Sequence, residues 1–323
     1  MAAPPFHSEL VRQQYALFEE FSEAVQGWDL DFCQLGKADA PFYLQQLAGS
    51  RVSISRAYLS PGFYQMGGAT PGCRTVSVLV SGGADSAWRW CGERVTQNSL
   101  LVMPVGGEFE SISAPNLDSI HLAIPIPLLE RVAQTQFALP LHQLMPDGRC
   151  FCPEGGQHLL VLRNLLQRLT LAPGAEYDDS QVWLTPQLEE EMAHLVLSCL
   201  AGSKAEVPRG PRSKRMKCLA RAMEVLTSAE ADQIEVAQLV TEVGVSRRTL
   251  ENAFRDGLGV GPANFLKSRR LHCLNRSLLH ADHSSTAVAL LARQHGFHHQ
   301  GQLAADYRAL FGESPSITLR RPA

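Results

Sequence analysis

Apolar and polar positions divide this chain into two halves with different periods. Over residues 6–25 the apolar residues Leu10, Tyr15, Phe18, Phe21 and Val25 recur at helical spacing, which predicts a helix stopped by Gly27. The period then shortens, and residues 52–55, 75–80, 87–91, 100–103 and 120–124 read as strands of four to six residues. Turn chemistry separates them at Pro61-Gly62, Pro71-Gly72, Gly82-Gly83, Gly106-Gly107 and Pro115-Asn116. Short strands at this spacing favour an antiparallel sandwich or small barrel of jelly-roll or cupin type. Helical periods return over 128–135, 156–171 and 185–200. Two prolines and a glycine among charges mark 206–213 as a linker between a domain at 1–205 and another at 214–323.

Beyond the linker the pattern is helical almost throughout. Met216, Leu219, Ala220, Met223 and Leu226 form one stripe, a second helix covers 234–243, and Gly244-Val245-Ser246 leads into a third at 247–256. Helix, glycine turn, helix is the pattern of a helix-turn-helix, whose second helix enters the DNA major groove. Ser246 is a suitable N-cap because its hydroxyl accepts from an otherwise unpaired backbone N–H. Leu250, Ala253 and Phe254 make the inner face of the helix it opens; Arg248, Glu251, Asn252 and Arg255 make the outer one. Those outer types pair with guanine, cytosine and adenine edges or hold phosphate. The same arrangement repeats around Gly296, 52 positions after Gly244, and Gly312-Glu313-Ser314-Pro315 echoes Gly259-Val260-Gly261-Pro262. Between the copies, 262–279 predicts one helix with proline at its start. Its roughly 27 Å suits two recognition helices set near one DNA turn, ~34 Å, apart, so that one chain addresses two successive major grooves.

Composition sharpens this division. The 323 residues are 45% hydrophobic and 19% charged, enough for two globular domains, and the net charge is only −3. That average conceals a split. Residues 1–207 carry 12 Lys and Arg against 22 Asp and Glu, net −10; residues 208–323 carry 17 against 10, net +7. An acidic module joined to a basic one points to a polyanion as the partner of the second half. The start of the chain shows neither a basic lead nor an apolar run, and no stretch is apolar enough to span a bilayer, so a cytoplasmic protein without a membrane partner is expected. Eight scattered cysteines then read as reduced and mostly buried.

Catalytic and metal chemistry find little support. His121, His142, His158 and His194 stand apart, and Cys150-Phe151-Cys152 is too closely spaced for a zinc clamp and reads as a loop. Trp88 and Trp90 share a strand face as core or as a pocket wall. Gly257-Leu258-Gly259-Val260-Gly261 imitates a dinucleotide loop but follows a helix, so Gly257 reads as a helix C-cap. Lys267, Arg269, Arg270 and Arg276 are candidates for phosphate contact. No cofactor, metal site or catalytic residue is expected. The alternatives to a sequence-specific regulator are a nonspecific architectural DNA binder and a cupin-type enzyme carrying a DNA-targeting module.

Taken in order, Ser246-Arg247-Arg248-Thr249-Leu250-Glu251-Asn252-Ala253-Phe254, Gly259 to Pro262, Phe265-Leu266, Arg270-Leu271, Gly296-Phe297, Tyr307, Phe311-Gly312 and Ser314-Pro315 resemble the AraC/XylS family of bacterial transcription regulators. The resemblance covers about a hundred residues from Lys214 onward and is nearest the branch of the ethanolamine-utilisation and benzoate regulators. It implies a transcription regulator, expected to be an activator, in which an N-terminal effector-sensing and dimerisation domain controls a C-terminal pair of helix-turn-helices. Double-stranded DNA, RNA polymerase, a small-molecule effector and a second copy of the chain are the implied partners. Arg270 is the family's structural arginine, which implies pairing within the domain. The implied base-reading positions are Arg248, Glu251 and Asn252 on the first helix and the region of Gln300, Gln302 and Ala305 on the second. Arg247, Thr249, Arg255, His298 and His299 complete the expected DNA-binding set. Ala305 stands where many members carry a polar residue, and Gly301 and Leu303 replace the commoner Ser and Phe. The first helix is therefore expected to supply most base specificity and the second to position the protein on the backbone.

Overall fold

The computed structural model describes residues 9–25, 29–68, 71–81, 88–105, 108–146, 150–152, 156–170, 184–201, 214–227, 234–282 and 287–321. The expected linker at 206–213 lies outside the described residues. The N-terminal domain is sheet-rich and the C-terminal domain helical.

Two antiparallel sheets face each other in the N-terminal domain. The larger comprises β1 (Glu9–Tyr15), β3 (Phe42–Ala48), β4 (Ser53–Leu59), β11 (Leu117–Pro125), β6 (Cys73–Ser81), β9 (Leu100–Val102) and β12 (Cys150–Cys152), side by side in that order. The smaller comprises β2 (Asp29–Gln34), β5 (Phe63–Gly68), β10 (Glu108–Ser113), β7 (Arg89–Trp90) and β8 (Glu93–Arg94). Strand period explains the layering. On β6, Val76, Val78 and Val80 join a core shared with helices, while Leu79 joins the core between the sheets. The outer layer is α2 (Ile126–Val132), α4 (Gly156–Leu169) and α5 (Pro186–Ala201), packed through Leu128, Leu162 and Val196 on the large sheet. A short π-helical turn, Ala133–Phe137, extends α2, and a one-turn α3 (Leu141–Leu144) follows it.

Two buried charged groups tie strands to helices. Glu189 of α5 takes hydrogen bonds from the backbone N–H of Arg51, its guanidinium at 2.6 Å and the Ser50 hydroxyl, so it caps the β3–β4 turn. Burial opposes ionisation of that carboxyl, but these donors outweigh it and its pKa is lowered. Arg56 of β4 forms a two-pronged bond with Asp118 of β11 at 2.9 and 2.7 Å and donates to the carbonyl of Thr170.

The structure corrects three readings. Residues 6–25 do not form one helix: β1 pairs along its length with β3, from Glu9 opposite Ala48 to Tyr15 opposite Phe42, and only α1 (Phe18–Ala24) is helical. Seven paired residues outweigh a helical period that rested on five apolar positions. Cys150–Cys152 is a strand rather than a loop, since it pairs with β9. Gly257 is not a helix end: α8 (Arg247–Leu258) runs past it and closes on Gly259.

A small cavity of about 40 Å³ lies between the sheets. Its walls are mainly apolar and aromatic, including Phe21, Phe32, Phe63 and Trp88, with Ser55, Gln65, Ser119 and His121 as the polar members. Trp88 is thus both core and cavity wall, and its indole N–H donates to the Ser111 hydroxyl at 2.7 Å. His121 is held between two hydroxyls, Nδ1 at 2.6 Å from Ser77 Oγ and Nε2 at 3.1 Å from Ser119 Oγ. Burial pushes its pKa down to about 4, so the ring is neutral at pH 7.

That shift sets a pH dependence. An imidazole that ionises more readily unfolded, at about 6.5, than folded, at about 4, contributes its full stability above the unfolded value and loses it as pH falls toward the folded one. Between pH 6.5 and 4, unfolding free energy should fall by roughly 3 kcal/mol more in the native chain than in His121→Gln. Parallel denaturant curves for the two proteins across that window would show the histidine is not buried neutral.

Candidate nucleic-acid interface

The C-terminal domain is two copies of one unit. The first consists of α7 (Val236–Val243) and α8 packed on α6 (Lys214–Thr227); the second consists of α10 (Val288–Gln294) and α11 (Gln300–Phe311). Between them runs α9 (Pro262–Leu279), and α12 (Pro315–Leu319) follows the second. The turns share two backbone bonds. Gly244 N–H donates to the carbonyl of Thr241 and Val245 N–H to that of Val240; Gly296 donates to Arg293 and Phe297 to Ala292. Both glycines are left-handed, φ 72° and 77°, a region that costs a side-chain-bearing residue about 1 kcal/mol or more. Gly259 and Gly312 end α8 and α11 in the same conformation.

The starts of the two recognition helices differ. Ser246 Oγ accepts from the Thr249 N–H at 3.2 Å, the expected cap. At α11 the equivalent position is His299, which makes no side-chain cap. Capping on α8 settles its first turn internally, whereas the first N–H groups of α11 stay available for an outside acceptor.

The inner faces are closed. Leu250, Ala253 and Phe254 are fully buried on α8, as Leu303 and Tyr307 are on α11. Gly257 lets α8 lie against α6, since a Cβ there would overlap Leu219. On the outer face of α8, Arg247, Arg248 and Arg255 are exposed, while Thr249, Glu251 and Asn252 are half-buried. Glu251 departs from a simple outward reading: its carboxylate lies 3.9 Å from Arg255 and beside Gly261 at the start of α9. His298, His299, Gln300 and Gln302 are all exposed along the opening of α11. The structure therefore leaves seven of the ten expected residues exposed on α8 and at the opening of α11, and Thr249, Glu251 and Asn252 half-buried.

The cationic residues of α9 sort differently. Lys267 is paired with Asp306 of α11 at 2.8 Å, and the Arg270 guanidinium lies 5.7 Å over the Phe297 ring, so both hold the second copy in place. Arg276 is exposed one turn before the end of the helix. A chain of hydrogen bonds fills the second core: Asn275 donates to the Tyr307 hydroxyl, Tyr307 to Thr318 and Thr318 to Glu313. Burial pushes the Tyr307 hydroxyl pKa up, so it remains a donor throughout the physiological range. Among the described residues, no group of three His, Cys, Asp or Glu side chains is placed to hold a metal ion, and no helix is long and apolar enough to cross a membrane.

Comparison with known proteins bears on the same segment. Residues 239–321 match the family model described as a helix-turn-helix domain. The C-terminal domain is a helix-turn-helix domain. Over 136 residues, 42% of the chain, the protein is 33% identical to a probable thc operon regulatory protein of Rhodococcus erythropolis. Over 137 residues it is 30% identical to XylDLEGF operon transcriptional activator 1 of Pseudomonas putida. Each match spans 41% of the relative's length. A solved AraC-like transcriptional activator, CuxR, aligns over 83% of this chain and 96% of its own with 15% identity and a TM-score of 0.43.

What sequence reasoning missed is the docking of the two domains. Tyr64 of β5 meets Phe265 of α9 edge-on at 5.8 Å, and Cys33, Tyr64 and Ile112 share a core with α6 and α8. Glu19 of α1 bonds to His272 of α9, and Glu20 to Arg321. The alternation of charge between halves was the available signal, but it does not name partners.

Two glycine substitutions test the packing. Gly257→Ala should cost about 1–3 kcal/mol through its overlap with Leu219, whereas Gly301→Ala, with open space around it on α11, should be neutral or gain up to about 1 kcal/mol. Urea unfolding of both variants decides this, and equal effects would contradict the close α6–α8 approach.

Proposed function

We propose that the protein is a sequence-specific, double-stranded-DNA-binding transcription regulator, an activator, whose N-terminal domain responds to a small-molecule effector. The observation that carries this is the repetition, at Gly244 and Gly296, of a left-handed glycine turn with the same two backbone bonds, each leading into a helix with polar outer residues. The division into a sensing domain at 1–205, a linker at 206–213 and a DNA-binding domain at 214–323 belongs to the same reading.

In this reading Arg248, Glu251 and Asn252 read bases, with Arg247, Thr249 and Arg255 holding α8 to the adjoining backbone. His298, His299, Gln300 and Gln302, with the uncapped N–H groups of α11, position the second copy on phosphate, one groove away. The presence of Glu251 and Asn252 among the arginines of α8 supports selectivity over bulk attraction, because a backbone binder gains nothing from a carboxylate beside its cations. The curated relatives are named as operon regulators and transcriptional activators, which favours an activator that meets RNA polymerase and acts by binding rather than by turnover. Leu160 and Val161 of α4, 48% and 50% exposed, favour a homodimer formed through that helix. The interior cavity of the N-terminal domain supports an effector site, and a protein confined to the cytoplasm, without a membrane partner, accords with these roles.

Replacing Arg248 by Ala should weaken binding to the preferred site by about 1–3 kcal/mol while changing binding to random DNA little. Asn252→Ala should relax sequence preference, and Gln302→Ala should lower affinity evenly across sequences. Binding to a randomised DNA pool at fixed salt measures all three, and equal loss of preference for Asn252→Ala and Gln302→Ala would refute the division of labour between α8 and α11.

A further inference from the structure

Helix α1 borders two sites at once. Phe21 and Val25 line the cavity between the sheets, and Glu19, two residues before Phe21, reaches into the other domain. Glu19 Oε1 lies 2.7 Å from His272 Nδ1, with both side chains almost wholly buried. His272 Nε2 accepts from the backbone N–H of Gln34 at 3.1 Å, so the ring proton is on Nδ1 and is donated to Glu19. The rings of Phe18 and Phe311 meet the imidazole edge-on at 5.6 and 5.2 Å. The second carboxylate oxygen, Glu19 Oε2, is buried without a hydrogen-bond partner among the described residues. A half-satisfied carboxylate loses little on release, because water then pairs both oxygens.

The cavity as it stands is too small for an organic ligand. About 40 Å³ holds a few water molecules, whereas roughly 150 Å³ is needed for benzene. One wall must yield. Leu59, Phe63 and Leu117 belong to strands fixed by ladders on β4, β5 and β11. Helix α1 is held by the side-chain packing of Phe18 and Phe21 rather than by a ladder, so it is the wall that can shift without breaking strand hydrogen bonds. The lining also sets the ligand's chemistry. None of the lining residues is Lys, Arg, Asp or Glu, and Ser55, Gln65, Ser119 and His121 are the polar side chains in an otherwise apolar, largely aromatic chamber. An ion entering would lose its hydration without a counter-charge.

We propose that α1 is a shared wall, so that an uncharged, largely aromatic ligand with one hydrogen-bonding group displaces Phe21 and Val25 and thereby parts Glu19 from His272. Cavity occupancy and the interdomain bond exclude one another. This deepens the effector-responsive reading above and rests on it. By linkage, whatever breaks the bond must tighten the ligand by the same factor.

The test uses the full chain and N-phenyl-1-naphthylamine, an uncharged fluorescent aromatic amine, as the probe. Glu19→Ala and His272→Phe should each bind it about tenfold more tightly than the native chain, and the double variant no more tightly than either alone. Unchanged affinity in both single variants overturns the coupling. Ala57→Phe, which fills the cavity, should abolish probe binding in every background, and persistent binding places the probe elsewhere and overturns the site. In the native chain, which carries no folding risk, saturating probe should speed exchange of the Gln34 amide about tenfold, because its acceptor on His272 moves away; unchanged exchange also overturns the proposal. Specific DNA binding of the same variants separates the two readings: intact sequence preference without coupling faults only the shared wall, whereas coupling without any sequence preference faults the regulator.

Discussion

Helix α9 is a structural member of two hydrophobic cores, and the placement of both candidate recognition helices follows from that. Phe265 and Leu266 at its start pack with Leu250 and Phe254 of the first helix-turn-helix; Leu271, Leu274 and Leu278 pack with Leu303 and Tyr307 of the second. Its 18 residues make a rod of about 27 Å. Pro262 sets its beginning and Lys267 binds it to α11 through Asp306, so the spacing between the copies is a property of packing rather than of a flexible joint.

The N-terminal domain rests on this rod near its start and at its middle. Tyr64 meets Phe265 near the first core, and Glu19 and Gln34 meet His272 near the second. Beyond His272, Glu20 joins Arg321, which holds Glu313, the end of the hydrogen-bond chain that runs from Asn275 through Tyr307 and Thr318. The acidic half therefore reaches the polar interior of the second helix-turn-helix by a continuous set of bonds. Such a chain connects α1 to the helical domain through contiguous bonds.

The helical domain was legible because its signals are local. A Ser cap, a glycine turn and buried positions at i, i+3 and i+4 each act within one or two turns, so Ser246, Gly244 and the Leu250–Phe254 face stand where their spacing places them. The sheet domain was legible in class but not in detail. Residues such as Leu10 and Tyr15 fit a helical period, yet they serve a strand whose partner lies some thirty residues later, and no local pattern carries that pairing. Gly257 shows the same limit from the other side: glycine before Gly259 looked like a stop, but its role is to admit Leu219 from another helix. The contact between Glu19 and His272, 253 positions apart, had no signal beyond the opposed charge of the two halves.

In the proposed function, α9 fixes two DNA-reading units about one helical turn apart on the same face of the duplex. The most direct measurement is the affinity of the full chain for its preferred site before and after inserting about 5 base pairs between the two half-sites, with about 10 inserted base pairs as the second comparison. A rigid α9 requires that half a turn, which carries one half-site to the opposite face, reduces specific binding to nearly the level of a single half-site. A full turn should not restore it, because the rod cannot lengthen. Undiminished affinity across both insertions would mean that the two units are not held at a fixed separation.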